Sequence, residues 1–247
     1  MSVPAEDEVS IFELFNQYFE LVHVDNDALL RKAQNLRYQV YCVEHHFESQ
    51  EDHPDHVEED DFDHESVHTL LSHTVSGEFA ATVRLVLPKA LGADGLFPIE
   101  QHSQIHEDKQ HMIQQIPRHD IAEISRFAVS KTFRRRLGEI LTSHGITDEA
   151  EINAHGKRLV PHITLGLFKA IVRMSVENDI RYWYAVMEPI LIRLLKRFGI
   201  HFVHIGPVVE YHGKRVPCWA DSITMLDGIH KHRPDVWDFI TESGQYV

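Results

Sequence analysis

The stretch Ile121-Ala-Glu-Ile-Ser-Arg-Phe-Ala-Val129 decides the fold. It is a nearly continuous apolar run interrupted by Glu123, Ser125 and Arg126, the pattern of a central strand covered on both faces. Burying an unpaired carboxylate or guanidinium costs several kcal/mol, so Glu123 and Arg126 must be paired, hydrated in a cleft, or both. On a regular strand residues 123 and 125 face one side and 126 the other. Cooperation between Glu123 and Arg126 therefore predicts a bulge or an exposed strand end here.

Upstream, the apolar runs Val67 to Val75 and Phe79 to Leu87 flank Ser76-Gly77 and read as a β-hairpin that Pro88 ends. Within it Arg84 shares a strand face with Ala80 and Thr82, small neighbours that leave room for a partner or ligand. Two amphipathic helices precede the hairpin. One spans residues 10 to 22 with Ser10 as its cap, and the other runs from Asp27 to about Cys42 and carries Arg37 and Tyr41. Residues 89 to 118, with Pro98 and Pro117, read as a long excursion with one short helix. Downstream come a basic run, Lys131 to Arg136, a polar stretch to Arg158, and a helix from Pro161 with Ile163, Leu167, Ile171 and Met174 on one face. Tyr182 to Met187 as strand, Pro189 to Phe198 as helix and Phe202 to Tyr211 as strand form an expected crossover unit. The class is α/β (α+β), one domain over residues 1–247.

The 247 residues carry 24 Lys and Arg against 38 Asp and Glu, a formal charge of -14, which excludes a basic nucleic-acid binder. Eleven of the carboxylates lie between Glu44 and Glu65, a segment without Lys or Arg and with Pro54, read as a loop. The remainder is then only -3, so the acidic field is local. His45, His46, His53 and His56 among the carboxylates of that loop could bind a divalent metal, but their spacing matches no rigid ligand set, and the alternative reading is a mobile acidic loop or lid. His162 and His204 read as core-edge histidines. Cys42 and Cys218 belong to no CxxC pair, which fits a reducing cytoplasm. The acidic N-terminus does not read as a signal peptide, and without a run of about 18 apolar residues no membrane insertion is expected.

Taken in order, Arg37-Tyr-Gln-Val-Tyr41, Phe47, Asp60-Asp-Phe-Asp63, Arg84-Leu-Val-Leu-Pro88 and Glu123-Ile-Ser-Arg-Phe-Ala-Val129 resemble the acyl-homoserine-lactone synthases and related N-acyl amino acid synthases. With Val209-Glu-Tyr-His-Gly-Lys-Arg-Val-Pro-Cys218, the chain is most similar to PEP-CTERM/exosortase-associated acyltransferases. The resemblance implies the GNAT fold, a central mixed, twisted sheet flanked by helices with a cleft between splayed strands.

It also implies roles. Arg37, Asp60, Asp63, Arg84, Glu123 and Arg126 match the charged cleft residues that orient an amine substrate and organise the site, with Tyr41 and Phe47 as an aromatic wall. Glu123, with Ser125 and Arg126, is the catalytic group, Glu123 relaying the proton. The backbone of Phe127, Ala128 and Val129 would pair with the pantetheine arm of the acyl donor, either acyl-CoA or an acyl carrier protein. No tightly bound cofactor is implied. Arg135-Arg-Leu-Gly138 is half of a pyrophosphate-cradling motif, whereas Lys131, Arg134, Arg135 and Arg136 form a basic patch that is either a solvated turn or a docking site for an acidic carrier protein. Phe47 stands where lactone-forming members usually have tryptophan, and the chain is longer near residues 89 to 118 and 137 to 160. The expected activity is N-acyl transfer to the amine of an amino acid or similar metabolite. Lactone synthesis from S-adenosylmethionine and a noncatalytic acyl-carrier or ligand-binding module are the alternatives.

Overall fold

A computed structural model describes residues 11–92, 95–131, 133, 149–210 and 213–247. Eight strands among them form one sheet: β1 (Phe19–His23), β2 (Val67–His73), β3 (Phe79–Val86), β4 (Ile121–Val129), β5 (Tyr182–Met187), β6 (Val203–His204), β7 (Val209–Glu210) and β8 (Lys214–Asp221). Their spatial order is β1-β2-β3-β4-β5-β8-β6, with β7 beside β8. Neighbours are antiparallel except β4 and β5. The helices are α1 (Ile11–Tyr18), α2 (Asp27–Tyr38), α3 (Pro98–His102), α4 (Glu107–Ile113), α5 (Glu149–Glu177), α6 (Pro189–Arg197), α7 (Ser222–His232) and α8 (Pro234–Thr241). Among the described residues, no helix is long and apolar enough to cross a membrane.

The two-residue period of the strands separates two cores. Val83, Leu85, Ala122, Ile124 and Trp183 face the larger one, where Phe15 of α1, Leu167 and Ile171 of α5 and Phe239 of α8 meet them. Val86, Ile121, Tyr184 and Trp219 face the other side, covered by Phe97, Ile99 and Ile113 of the excursion. The excursion thus holds two short helices rather than one, and Glu123, in phase with Ile121, lies beneath it.

The expected helix over residues 10 to 22 stops at Tyr18. Phe19–His23 instead pairs with β2, because the backbone groups of that sheet edge gain partners that an amphipathic period does not reveal. The helix expected from Pro161 begins at Glu149 and runs through that proline. The strand expected at Phe202 to Tyr211 is two short pieces, and the long strand beside β5 is β8, disguised by Pro217. Proline offers no donor there, and none is missed: its carbonyl accepts the Ile205 N–H at 3.0 Å, while the Ile205 carbonyl accepts the His106 N–H at 2.8 Å instead. Consequently the expected crossover unit at 182–211 is replaced by antiparallel neighbours, and the parallel crossover is β4-α5-β5.

β4 and β5 stay paired only from Ile121↔Tyr182 to Ile124↔Ala185. Beyond that point they part. On the other edge of β4, Arg84 opposes Ser125 and Thr82 opposes Ala128, so Arg126 and Phe127 together face the single residue Val83. This is the bulge that the strand parity required. Arg126 sits in it with φ +50°, in the left-handed region that costs a non-glycine residue about 1–2 kcal/mol.

Candidate active site

Where β4 and β5 separate, a cavity of about 830 Å³ opens. Ser125, Arg126, Phe127 and Val129 form one wall and Val186 and Met187 the other, with Leu191, Leu194 and Leu195 of α6 across the gap. It draws on both faces of the sheet. Phe168, Ile171 and Phe202 come from the larger core, while Tyr41, Phe47, Ile99 and Glu123 come from the side of the excursion and acidic loop.

Glu123 is 3% exposed, and its Oε2 accepts the Ile99 N–H at 2.8 Å. Burial pushes its carboxyl up to about 8, against the opposing pull of that N–H and of Arg84, and nearby Glu100 adds to the rise. A carboxyl poised there can accept and return a proton near neutral pH.

Beside it, three arginines and three carboxylates close a ring. Arg37 pairs with Glu58 and, at 2.6 Å, with Asp63. Arg84 bonds Asp63 at 2.6 Å and Asp60 at 2.5 Å, and Arg126 completes the circuit to Asp60 at 2.9 Å and Glu58 at 2.7 Å. Three charges of each sign cancel within it. Burial works against the charge on Arg126 and on Glu58, yet their attraction outweighs it and holds Arg126 above and Glu58 below their ordinary values. Asp63 is likewise held low, Arg37 outweighing burial. Arg37, Arg84, Asp63 and Glu58 are fully enclosed, whereas Arg126 and Asp60 retain 19% and 25% side-chain exposure on the open side of the ring.

The expected site residues therefore divide. Tyr41, Phe47, Glu123, Ser125, Arg126, Phe127 and Val129 line the cavity. Arg37, Asp63 and Arg84 are spent inside the ring behind it, and Ala128 turns into the core. The Ser125 hydroxyl accepts the Arg84 Nε–H at 2.9 Å, which ties the cavity wall to the ring. Arg126 lies over the Tyr41 ring at 5.9 Å, and Tyr41 and Phe47 stand 6.5 Å apart. Lys131 is held by Glu44, whose carboxylate accepts its backbone N–H at 2.7 Å. Arg134, Arg135 and Arg136 lie outside the described residues.

Sequence reasoning missed Glu58, one of eleven carboxylates in its loop with no local mark to single it out. It also missed Arg215, which lines the cavity, pairs with Glu188 at 2.9 Å and lies over Phe47 at 5.3 Å. Tyr184 was hidden too. It opposes Glu123 across the strands, and its hydroxyl donates to Glu100 at 3.1 Å.

Residues 36–143 match the model of the acetyltransferase (GNAT) domain. That segment marks the protein as an acyltransferase with a GNAT-type fold. The fold is shared with solved structures at low identity. The CoA-dependent acyl-homoserine lactone synthase BjaI, with SAM and isopentyl-CoA, is 16% identical over 91% of this chain and 99% of its own, with a TM-score of 0.54. TofI in a ternary complex with an inhibitor and MTA is 18% identical over 85% and 96%, with a TM-score of 0.53. FeeM, an N-acyl amino acid synthase from uncultured soil microbes, is 13% identical over 85% and 93%, with a TM-score of 0.51. No curated protein matches the sequence.

Proposed function

We propose that this GNAT domain is an N-acyltransferase that moves a fatty acyl group from a carrier-protein or CoA thioester to the amine of an amino acid or similar small metabolite. The observation that carries this reading is Glu123, a buried carboxyl titrating near 8 at the wall of a cavity opened by two splayed strands.

In this mechanism the amine nitrogen attacks the thioester carbonyl, the C–N bond forms and the C–S bond breaks. Glu123 takes the amine proton, directly or through a water, and returns it to the departing thiolate, a role worth about 10² to 10⁴ in rate. The thioester lies along the free edge of β4. Ser130 N–H bonds back to Ala80 at 3.0 Å, so strand alternation turns the Val129 N–H the other way, toward the edge that β5 has left. A pantetheine amide can pair there. Phe168, Ile171, Leu191 and Leu195 offer the acyl chain an apolar lining. Tyr41, Phe47 and Arg126 bound the amine, with Arg37, Asp60, Asp63 and Arg84 fixing Arg126 from behind.

Docking of an acidic carrier protein on Lys131, Arg134, Arg135 and Arg136 belongs to the same reading. The resemblance to PEP-CTERM/exosortase-associated acyltransferases adds an envelope-related setting, which the neighbouring genes test.

The deciding experiment supplies the full chain with acyl-carrier protein or acyl-CoA and a panel of amines, following thiol release and identifying products by mass spectrometry. Both cysteines of the protein are buried, so the thiol background is low. An N-acyl amino acid is expected. A lactone formed with S-adenosylmethionine would replace this acceptor assignment, and retention of intact thioester without turnover would make the protein a binding module.

A further inference from the structure

Helix α2 passes into a π-helical turn, Gln39–Glu44, which closes with the His45 N–H on the Val40 carbonyl at 3.1 Å. This turn carries Cys42, and the loop after it returns Glu48 and His53 to the same place. The Cys42 Sγ, a Glu48 carboxylate oxygen and a ring nitrogen of His53 all lie within 4.8 Å of one another. We propose that Cys42, Glu48 and His53 form a binding site for a zinc-class divalent cation that staples the acidic loop to the end of α2.

The orientation of His53 is the second observation. Its Nδ1 stands 2.9 Å from the Val57 carbonyl, and a carbonyl can only accept, so the ring hydrogen belongs on Nδ1. The other ring nitrogen, Nε2, is thereby aimed at the Glu48 carboxylate, 2.9 Å away. A backbone carbonyl on the far nitrogen is the usual brace of a metal-bound histidine. The ring is also held edge-on to Tyr38, 6.2 Å between centroids, which limits its rotation.

The ligand chemistry selects the class. One thiolate, one imidazole and one carboxylate suit zinc, leaving a fourth position to water. Two ligands at about 2.0–2.1 Å from a tetrahedral zinc stand about 3.3 Å apart, close to the present His53 to Glu48 separation. Binding breaks the Cys42 S–H bond, forms a sulfur–metal bond and releases the proton to solvent. Two anionic ligands then neutralise the dication. Cys42 lies outside the histidine-rich loop, so loop spacing alone could not show the set. Because Glu48 also lines the cavity beside Phe47, the staple would fix the aromatic wall without taking part in acyl transfer.

The test uses the full chain, freed of metal with a chelator and titrated with Zn²⁺ alone, and in parallel with Co²⁺ as a spectroscopic probe. With Co²⁺, a thiolate-to-metal charge-transfer band should saturate at one equivalent and vanish in Cys42→Ser. With Zn²⁺, His53→Gln should weaken binding by at least about tenfold, while His56→Gln, which leaves the three ligands intact, should not. His53 is half-buried, so its variant keeps the test valid if Cys42→Ser folds poorly. Zn²⁺ should raise the thermal transition of the parent protein but not of either ligand variant. Absence of the thiolate band in the folded parent protein, or zinc binding unchanged in His53→Gln, would overturn the site and leave His53 as an imidazolium paired with Glu48. These readouts are independent of acyl transfer.

Discussion

Arg126 and Glu58, 68 residues apart in sequence, meet through two guanidinium nitrogens, Nη2 at 2.7 Å and Nε at 3.0 Å from the same carboxylate oxygen. The contact holds Arg126 in its left-handed backbone conformation and joins the bulge of β4 to the acidic loop. Glu58 also receives Arg37, so removing its charge leaves each of the two guanidinium groups with a single carboxylate partner, Asp63 for Arg37 and Asp60 for Arg126. Glu58→Gln should therefore destabilise the protein by about 3–5 kcal/mol, the range for breaking a buried ion pair from one side. Asp60→Asn, on the exposed side of the ring, should cost clearly less. Denaturant unfolding of both variants checks the order, and an equal or smaller loss for Glu58→Gln would show that the ring does not act as an enclosed unit.

Much of this arrangement was legible in the sequence, for a physical reason. Charged residues on an otherwise apolar strand cannot be neutral to the fold, so Glu123, Arg126 and Arg84 announced a polar centre, and their parity required the bulge. The sequence could not separate residues that touch the cavity from those that support them. Arg84 and Arg126 look alike as letters, yet Arg84 is sealed behind Ser125 while Arg126 reaches the opening. Glu58 was invisible because its partners come from α2 and β4, far away along the chain. Pro217 and the Phe19–His23 segment misled for the opposite reason, since neighbouring strands override local signals.

Arg84→Ala follows from the same geometry. Its guanidinium is 1% exposed and bridges Asp60, Asp63 and Ser125, so its loss should appear as instability of several kcal/mol. If Arg84 acted as a direct contact for the amine, the variant would instead keep its thermal transition and show a raised KM for the acceptor alone. Thermal unfolding beside steady-state kinetics separates the two.

Gly166 of α5 tests the packing under the site. A Cβ there would stand 2.2 Å from the Phe15 ring, which is itself packed edge-on against Phe239 at 5.0 Å. Alanine gains about 1 kcal/mol in helix propensity, but displacing two buried rings costs about 1–3 kcal/mol. Gly166→Ala should lower the melting temperature despite the better helix former. A higher melting temperature would show that α1 shifts freely on α5.

Leu191 and Ile171 line the apolar part of the cavity. Enlarging Leu191 to Trp removes volume without adding charge, so kcat/KM should fall steeply for long acyl donors and little for short ones. The comparison of two chain lengths on one variant cancels damage common to both. A uniform loss would place the acyl chain elsewhere.

Glu123 carries the most discriminating prediction. Its carboxyl titrates near 8 in the folded protein, because burial opposes its charge, against about 4.3 for an unfolded glutamate. Between those values the folded state holds a proton that the unfolded state has released. Stability from this group is therefore full below about pH 4.3 and declines as pH rises toward 8, each pH unit in that window corresponding to about 1.4 kcal/mol. Activity should run the other way, since only the ionised carboxylate accepts a proton, so kcat/KM should rise through about pH 8 and level above it. Glu123→Gln keeps the volume of the side chain but neither ionises nor accepts a proton as a base. It should lower single-turnover rates by about 10²-fold or more, abolish the rising limb near pH 8, and make the variant relatively more stable than the parent protein in alkaline solution. Unfolding measured at pH 5 and pH 9 checks the second effect independently of catalysis. If the variant loses activity while the alkaline decline in stability remains, another buried group titrates. If stability flattens but the pH–rate profile is unchanged, Glu123 is a buried acid of the fold, and the proton of the attacking amine leaves by another path.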